Sequence, residues 1–126
     1  MNWIATGAVL MALAVGMGAF GAHGLKGRLD AYSLSVYEKA VFYHFLHALG
    51  ILLVAALARA NAITPAGQAR VAWLLLTGIV IFSGSLYALA LTGARVLGAI
   101  TPLGGLAFIA GWVLLAYEAV SRSSSS

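Results

Sequence analysis

The sequence predicts an all-α integral membrane protein: a four-helix bundle with a short amphipathic segment between its first two helices. Composition is the first ground. Of 126 residues, 63% are hydrophobic and 8% are charged, against roughly 45–50% and about 25% in average soluble proteins. So few charges cannot cover a water-soluble domain of this size, and the mean hydropathy of +1.02 agrees. The second ground is where charge is missing. Lys26, Arg28, Asp30, Glu38, Lys39, Arg59, Arg70, Arg95, Glu118 and Arg122 bound four charge-free windows: 1–25, 40–58, 71–94 and 96–117. A hydrocarbon layer about 30 Å thick needs ~20 helical residues to cross, and each window meets that length. The third is continuity. Barrel strands would alternate over about 10 residues, whereas these runs are apolar throughout.

The first helix is expected over 3–22. Its start, Met1-Asn2-Trp3, lacks the basic residues of a secretion signal, so it reads as a retained helix. Ala12–Gly16, Ala14–Gly18 and Gly18–Ala22 are small-xxx-small steps, with Gly21 a further small position, and small residues let helices approach closely in lipid. They serve packing against neighbouring helices or, alternatively, a face between copies of the chain. Residues 23–36 follow, with Leu25, Leu29, Tyr32 and Val36 on one stripe and Lys26, Arg28 and Asp30 off it. That is the pattern of a segment lying on the membrane surface, interrupted by Gly24 and Gly27.

Ser35-Val36-Tyr37-Glu38 is a capping-box pattern, which starts the second helix near Val36; its span is 37–59. Asn61 and Thr64-Pro65-Ala66-Gly67 read as a turn. The third helix is expected over 70–92 and the fourth over 98–119. Thr101 as N-cap and Pro102 at the first helical position would shorten the last helix to about 102–119. Residues 1–120 thus form one domain, and 121–126 a disordered polar tail.

Four crossings return the chain to the face where it began, called side A. Arg59, Arg70 and Arg122 lie there; Lys26, Arg28, Lys39 and Arg95 lie on side B. Three against four does not orient the protein by the positive-inside rule. Trp3, Trp73 and Tyr117 fall near side A, and Tyr32 and Tyr37 near side B, at headgroup depth. Glu118 is expected to form a surface ion pair with Arg59 or Arg70. The net charge of +4 resides mainly at helix ends, where it meets anionic headgroups rather than nucleic acid.

Several chemistries are excluded or disfavoured. Without cysteine there is neither a disulfide nor a thiolate metal site. Ser83 and Ser85 lack a buried acid and the strand-turn-helix setting of a nucleophile elbow, so no enzyme is predicted. No carboxylate sits at midplane depth, which disfavours ion-coupled transport.

What remains is polarity where polarity is costly. Tyr37, Tyr43, His44 and His47 share an arc of about 120° on the second helix, at about 100° per residue. Ser83 and Tyr87 share a face of the third helix, with Gly84 and Ser85 between them. Thr101, Pro102, Gly104 and Gly105 open the fourth, and His23 closes the first. All three histidines and most of the hydroxyls therefore belong to the side B half. That predicts a polar pocket open toward side B, lined by His23, Tyr37, Tyr43, His44, His47, Ser83, Ser85, Tyr87, Thr101 and Pro102. Gly84, Gly104 and Gly105 join Gly16, Gly18 and Gly21 as packing positions.

Five ordered motifs carry a family resemblance. They are Gly18-Ala19-Phe20-Gly21-Ala22-His23-Gly24-Leu25, Tyr43 through Leu49, Phe82-Ser83-Gly84-Ser85-Leu86-Tyr87, Ile100-Thr101-Pro102-Leu103-Gly104-Gly105 and Gly111-Trp112. The chain resembles the domain of unknown function 423 family, small YgdD-like four-helix proteins of the bacterial inner membrane, over about 3–117. The resemblance implies a multi-pass inner-membrane protein and carries over no activity.

The reading is a non-enzymatic membrane protein that binds a lipid, a small amphiphile or a partner subunit in the side B pocket. One alternative is a small oligomeric transporter or channel. Another is histidine-ligated metal or haem; the sequence itself assigns no metal site and identifies no cofactor.

Overall fold

Charge-free runs of this length have only one way to satisfy their backbone in lipid, which is to bond within themselves. In the computed structural model, which describes residues 1–124, they form four helices long and apolar enough to span a membrane. These are α1 (Trp3–Leu25), α2 (Ala31–Arg59), α3 (Pro65–Thr92) and α4 (Arg95–Ser124). No strand occurs among the described residues.

Local chemistry sets the helix ends. The Asn2 side chain accepts from the Ala5 N–H to cap α1. Asp30 caps α2 by accepting from the Ser33 N–H at 2.7 Å. Thr64 caps α3 by accepting from Gly67 N–H, with Pro65 in the first turn. Gly93 ends α3 in the left-handed region, at φ 72°, where a side chain would be strained. Two helices change pitch internally: α1 ends in a π turn, Gly21–Leu25, and α3 contains one at Ile79–Ser83. Each α-to-π change shifts the phase of the residues that follow.

Several boundaries differ from the sequence reading. α2 begins at Ala31, ahead of the Ser35 box, because Asp30 supplies an earlier cap. Segment 23–36 is consequently shared between two helix ends and the bend at Gly27, whose φ is 87°. Leu25, Leu29 and Val36 of its stripe pack on the protein, while Tyr32 is exposed. α4 opens with a 3-10 turn, Arg95–Ala99, before its α-helical part from Thr101. Helix continues through Ser121–Ser124, expected to be disordered, because nothing there breaks the i→i−4 bonding. The remainder of that tail, 125–126, lies outside the described residues.

α1 packs along α2, α2 along α3, and α3 along α4. The two middle helices are therefore the buried ones. Ile51, Val54, Val71, Ala72 and Leu75 have no exposed surface. Leu13 of α1 and Val113 of α4 are exposed, as lipid-facing residues must be. Close approach depends on glycine at defined places. A side chain at Gly104 would strike the Phe82 backbone, and one at Gly78 the Phe108 ring. Gly21 lies against the Tyr37 ring, while Gly18 and Gly105 have only ordinary contacts. Gly16 and Gly84, expected to pack, face open space. Gly16 lies on the exposed side of α1, and Gly84 follows the π turn that resets the phase of α3.

At side A, Arg70 donates to Glu118 at 2.8 Å. The pair was expected at the surface, yet Glu118 is only 6% exposed. It lies over Gly67, in the first turn of α3. A carboxylate is favoured there by the positive end of the helix dipole.

Candidate functional site

The polar side chains of the side B half have helices as their neighbours, and most bond to them. Ser83, fully buried, donates to the Ala40 carbonyl at 2.8 Å and ties α3 to α2. The hydroxyls of Ser85 and Thr101 lie 2.6 Å apart, joining α3 to α4. His44 Nδ1 lies 2.8 Å from the Tyr87 hydroxyl. Tyr37 donates to the Met17 carbonyl at 2.6 Å and anchors α1 on α2.

His47 uses both ring nitrogens. Nδ1 lies 2.8 Å from the Tyr43 carbonyl, which can only accept, so Nδ1 carries the proton. Nε2 is then free to accept from Trp112 Nε1–H at 3.0 Å. The ring also stacks on Phe108, beside Tyr43 and Phe82.

Eight of the ten expected pocket residues thus form cross-helix bonds or ring contacts. His23 stands apart, exposed on the last turn of α1, and Pro102 is exposed at the start of the α-helical part of α4. Their separation follows from helix rotation: shared depth does not give them a shared face. His44 Nε2 is buried with no hydrogen-bond partner. Among the described residues, no three His, Asp or Glu side chains converge on a metal-sized site.

Open space in the side B half lies beside this network. A groove of about 340 Å³ runs between α1 and α2, lined by Gly18, Gly21 and Ala22 on one wall and Val41, Phe42 and Phe45 on the other. Tyr37 and Glu38 complete it. Of these, Gly18, Gly21 and Tyr37 are packing or pocket candidates in the sequence, and Ala22 stands in a small-xxx-small step with Gly18. The available signal was the run of small residues at 18, 21 and 22 opposite bulky ones at 41, 42 and 45. Exposed Lys26, Arg28 and Lys39 occupy the same end of the bundle.

A second recess of about 220 Å³ lies where α2 begins and α3 turns into α4, lined by Asp30, Tyr32, Ser33, Leu89, Gly93 and Arg95. The Arg95 guanidinium sits 5.8 Å from the centre of the Tyr32 ring, within cation–π range. Hydrogen bonds from Ser33, its backbone N–H foremost, hold the Asp30 carboxyl below its ordinary pKa, with Arg95 adding a weaker attraction. The sequence reading assigned none of these six residues to a site. The signal available was an acid and a base in the two side B connections.

The family model described as "Protein of unknown function (DUF423)" matches residues 17–105. A UPF0382 membrane protein of Staphylococcus haemolyticus is 50% identical over 113 residues, 90% of each chain. YwdK of Bacillus subtilis, also a UPF0382 membrane protein, is 49% identical over 122 residues, 94% of this chain and 95% of the relative. No solved structure matches the chain.

Proposed function

We propose that this chain, which belongs to the DUF423 family of unknown function and has relatives named as membrane proteins, is a non-catalytic lipid-binding protein whose ligand is an anionic phospholipid held between α1 and α2. The observation that carries the reading is the groove itself. Its small-residue wall leaves room beside Val41, Phe42 and Phe45 for an acyl chain. Its volume of about 340 Å³ falls at the lower end of the roughly 300–1,000 Å³ typical of ligand pockets. The phosphate would lie at the side B surface, where Lys26, Arg28 and Lys39 outnumber Asp30 and Glu38. Lys and Arg near the membrane surface attract anionic headgroups.

The polar network supports a rigid frame for this role. Ser83, Ser85, Tyr37 and His47 each make a hydrogen bond to another helix, and the one from Tyr37 to the Met17 carbonyl joins the two groove walls directly.

Gly18 is the position to test. A Cβ there would have ordinary contacts with Val41 and Phe45, so a longer side chain extends into the groove with little disturbance of the backbone. Native mass spectrometry of the wild type with phosphatidylglycerol and phosphatidylcholine is expected to retain the anionic lipid preferentially. Gly18→Leu is expected to lower that retention by about tenfold, the equivalent of 1.4 kcal/mol. Unchanged retention in Gly18→Leu, with helix content preserved, would remove the groove from consideration.

A further inference from the structure

The recess between the start of α2 and the α3–α4 turn differs from the groove in one physical respect: it holds opposite charges that do not close on each other. Asp30 and Arg95 both line it. Asp30 and Arg95 form no direct ion pair with each other, in contrast to Arg70 and Glu118. Arg95 instead sits over Tyr32, a contact that restrains the guanidinium beside the opening. Asp30 is held by its bond from the Ser33 N–H, which takes up one carboxylate oxygen. Leu89 and Gly93 supply the rest of the wall.

Two opposite charges flanking a space of about 220 Å³ are complementary to a molecule carrying both signs. A simple anion would meet the Asp30 carboxylate, and a simple cation would meet Arg95. A zwitterion satisfies both, its cation toward Asp30 and its anion toward Arg95. The recess lies at the start of α2 and the end of α3, both apolar spans, so in a bilayer it would sit at headgroup depth. The zwitterion that belongs at that depth is a phospholipid headgroup.

The cationic end can be narrowed further. Arg95 already occupies a face of Tyr32, and the recess is lined by no second aromatic ring, so the aromatic cage that favours quaternary ammonium is not available. A primary ammonium instead donates hydrogen bonds to a carboxylate, and charge-assisted bonds of this kind are the strong ones. We infer that the recess bounded by Asp30, Ser33 and Arg95 is a binding site for the phosphoethanolamine group, with the ammonium on Asp30 and the phosphate on Arg95.

The test uses the full chain in detergent with defined lipids, read by native mass spectrometry. Wild type is expected to retain phosphatidylethanolamine about tenfold more than phosphatidylcholine, as one charge-assisted hydrogen bond would give. Asp30→Asn removes the charge while keeping a side chain that caps a helix equally well, and it should bring the two lipids to parity. Arg95→Gln touches no helix cap and should weaken both lipids, which share the phosphate.

Equal retention by the wild type, or a preference that survives Asp30→Asn, overturns the inference. If Asp30→Asn loses helix content, Arg95→Gln decides: undiminished phosphatidylethanolamine retention there overturns it as well. Soluble glycerophosphoethanolamine as competitor assigns the source. Competition as effective as the lipid's supports an aqueous ligand of this chemistry, and its failure supports the headgroup. Gly18→Leu should leave the phosphatidylethanolamine preference intact, which separates this site from the α1–α2 groove.

Discussion

A histidine in hydrocarbon must account for two nitrogens, and the two core histidines do so differently. His47 is matched on both sides: Nδ1–H donates to the Tyr43 carbonyl and Nε2 accepts from Trp112. His44 is matched on one side, at Tyr87, and its Nε2 has no partner. Removing one member of a matched buried pair exposes the desolvation cost of the other. His47→Phe is therefore expected to destabilise the protein by about 1–3 kcal/mol, because the Trp112 N–H loses its acceptor. Adding Trp112→Phe should recover part of that loss. Reversible unfolding in mixed micelles, arranged as a double-mutant cycle, measures the coupling; strictly additive losses would exclude it. The sequence placed both histidines on one arc of α2, but an arc carries no information about which neighbouring atom lies opposite each nitrogen.

For the helices, contact depends on phase. The π turn at Ile79–Ser83 alters the phase of α3 midway, and Phe82 in that turn meets Gly104 backbone to backbone. Gly104→Ala forces a methyl into the Phe82 backbone and is expected to cost about 1–3 kcal/mol, as overpacking does. Gly16→Ala meets nothing and should be neutral or stabilising by up to ~1 kcal/mol, since alanine is the better helix former. Unfolding of the two variants side by side gives the comparison. Equal effects would contradict the assigned packing. Both glycines are packing positions in the sequence, because residue type alone does not tell which face of a helix meets a neighbour. Asp30 shows a related ambiguity: two cap signals, Asp30 and Ser35, lie within one turn and a half, and the earlier one starts α2.

Across the whole molecule, α2 and α3 form a buried centre with α1 and α4 laid against them. Val54 and Leu75 have no exposed surface, whereas Val9, Leu13, Ile109 and Val113 are each more than half exposed. Because the chain has no native cysteine, single-cysteine spin labelling needs no background removed. Labels at Leu13 and Val113 should show high accessibility to dissolved oxygen in a bilayer, and one at Leu75 low accessibility. The reverse order would require a different helix arrangement.

Membrane residence, helix as the secondary structure and the four crossings were determined by sequence alone. Crossing depends on length and hydropathy, which add along the chain without reference to any distant residue. The partners of the polar groups, the packing glycines, burial of Glu118 and the two open recesses were decided only by tertiary structure. Those depend on how each helix is rotated against its neighbour. In a chain whose faces are apolar nearly all round, hydropathy leaves that rotation undetermined; close backbone contacts, π turns and a few hydrogen bonds set it.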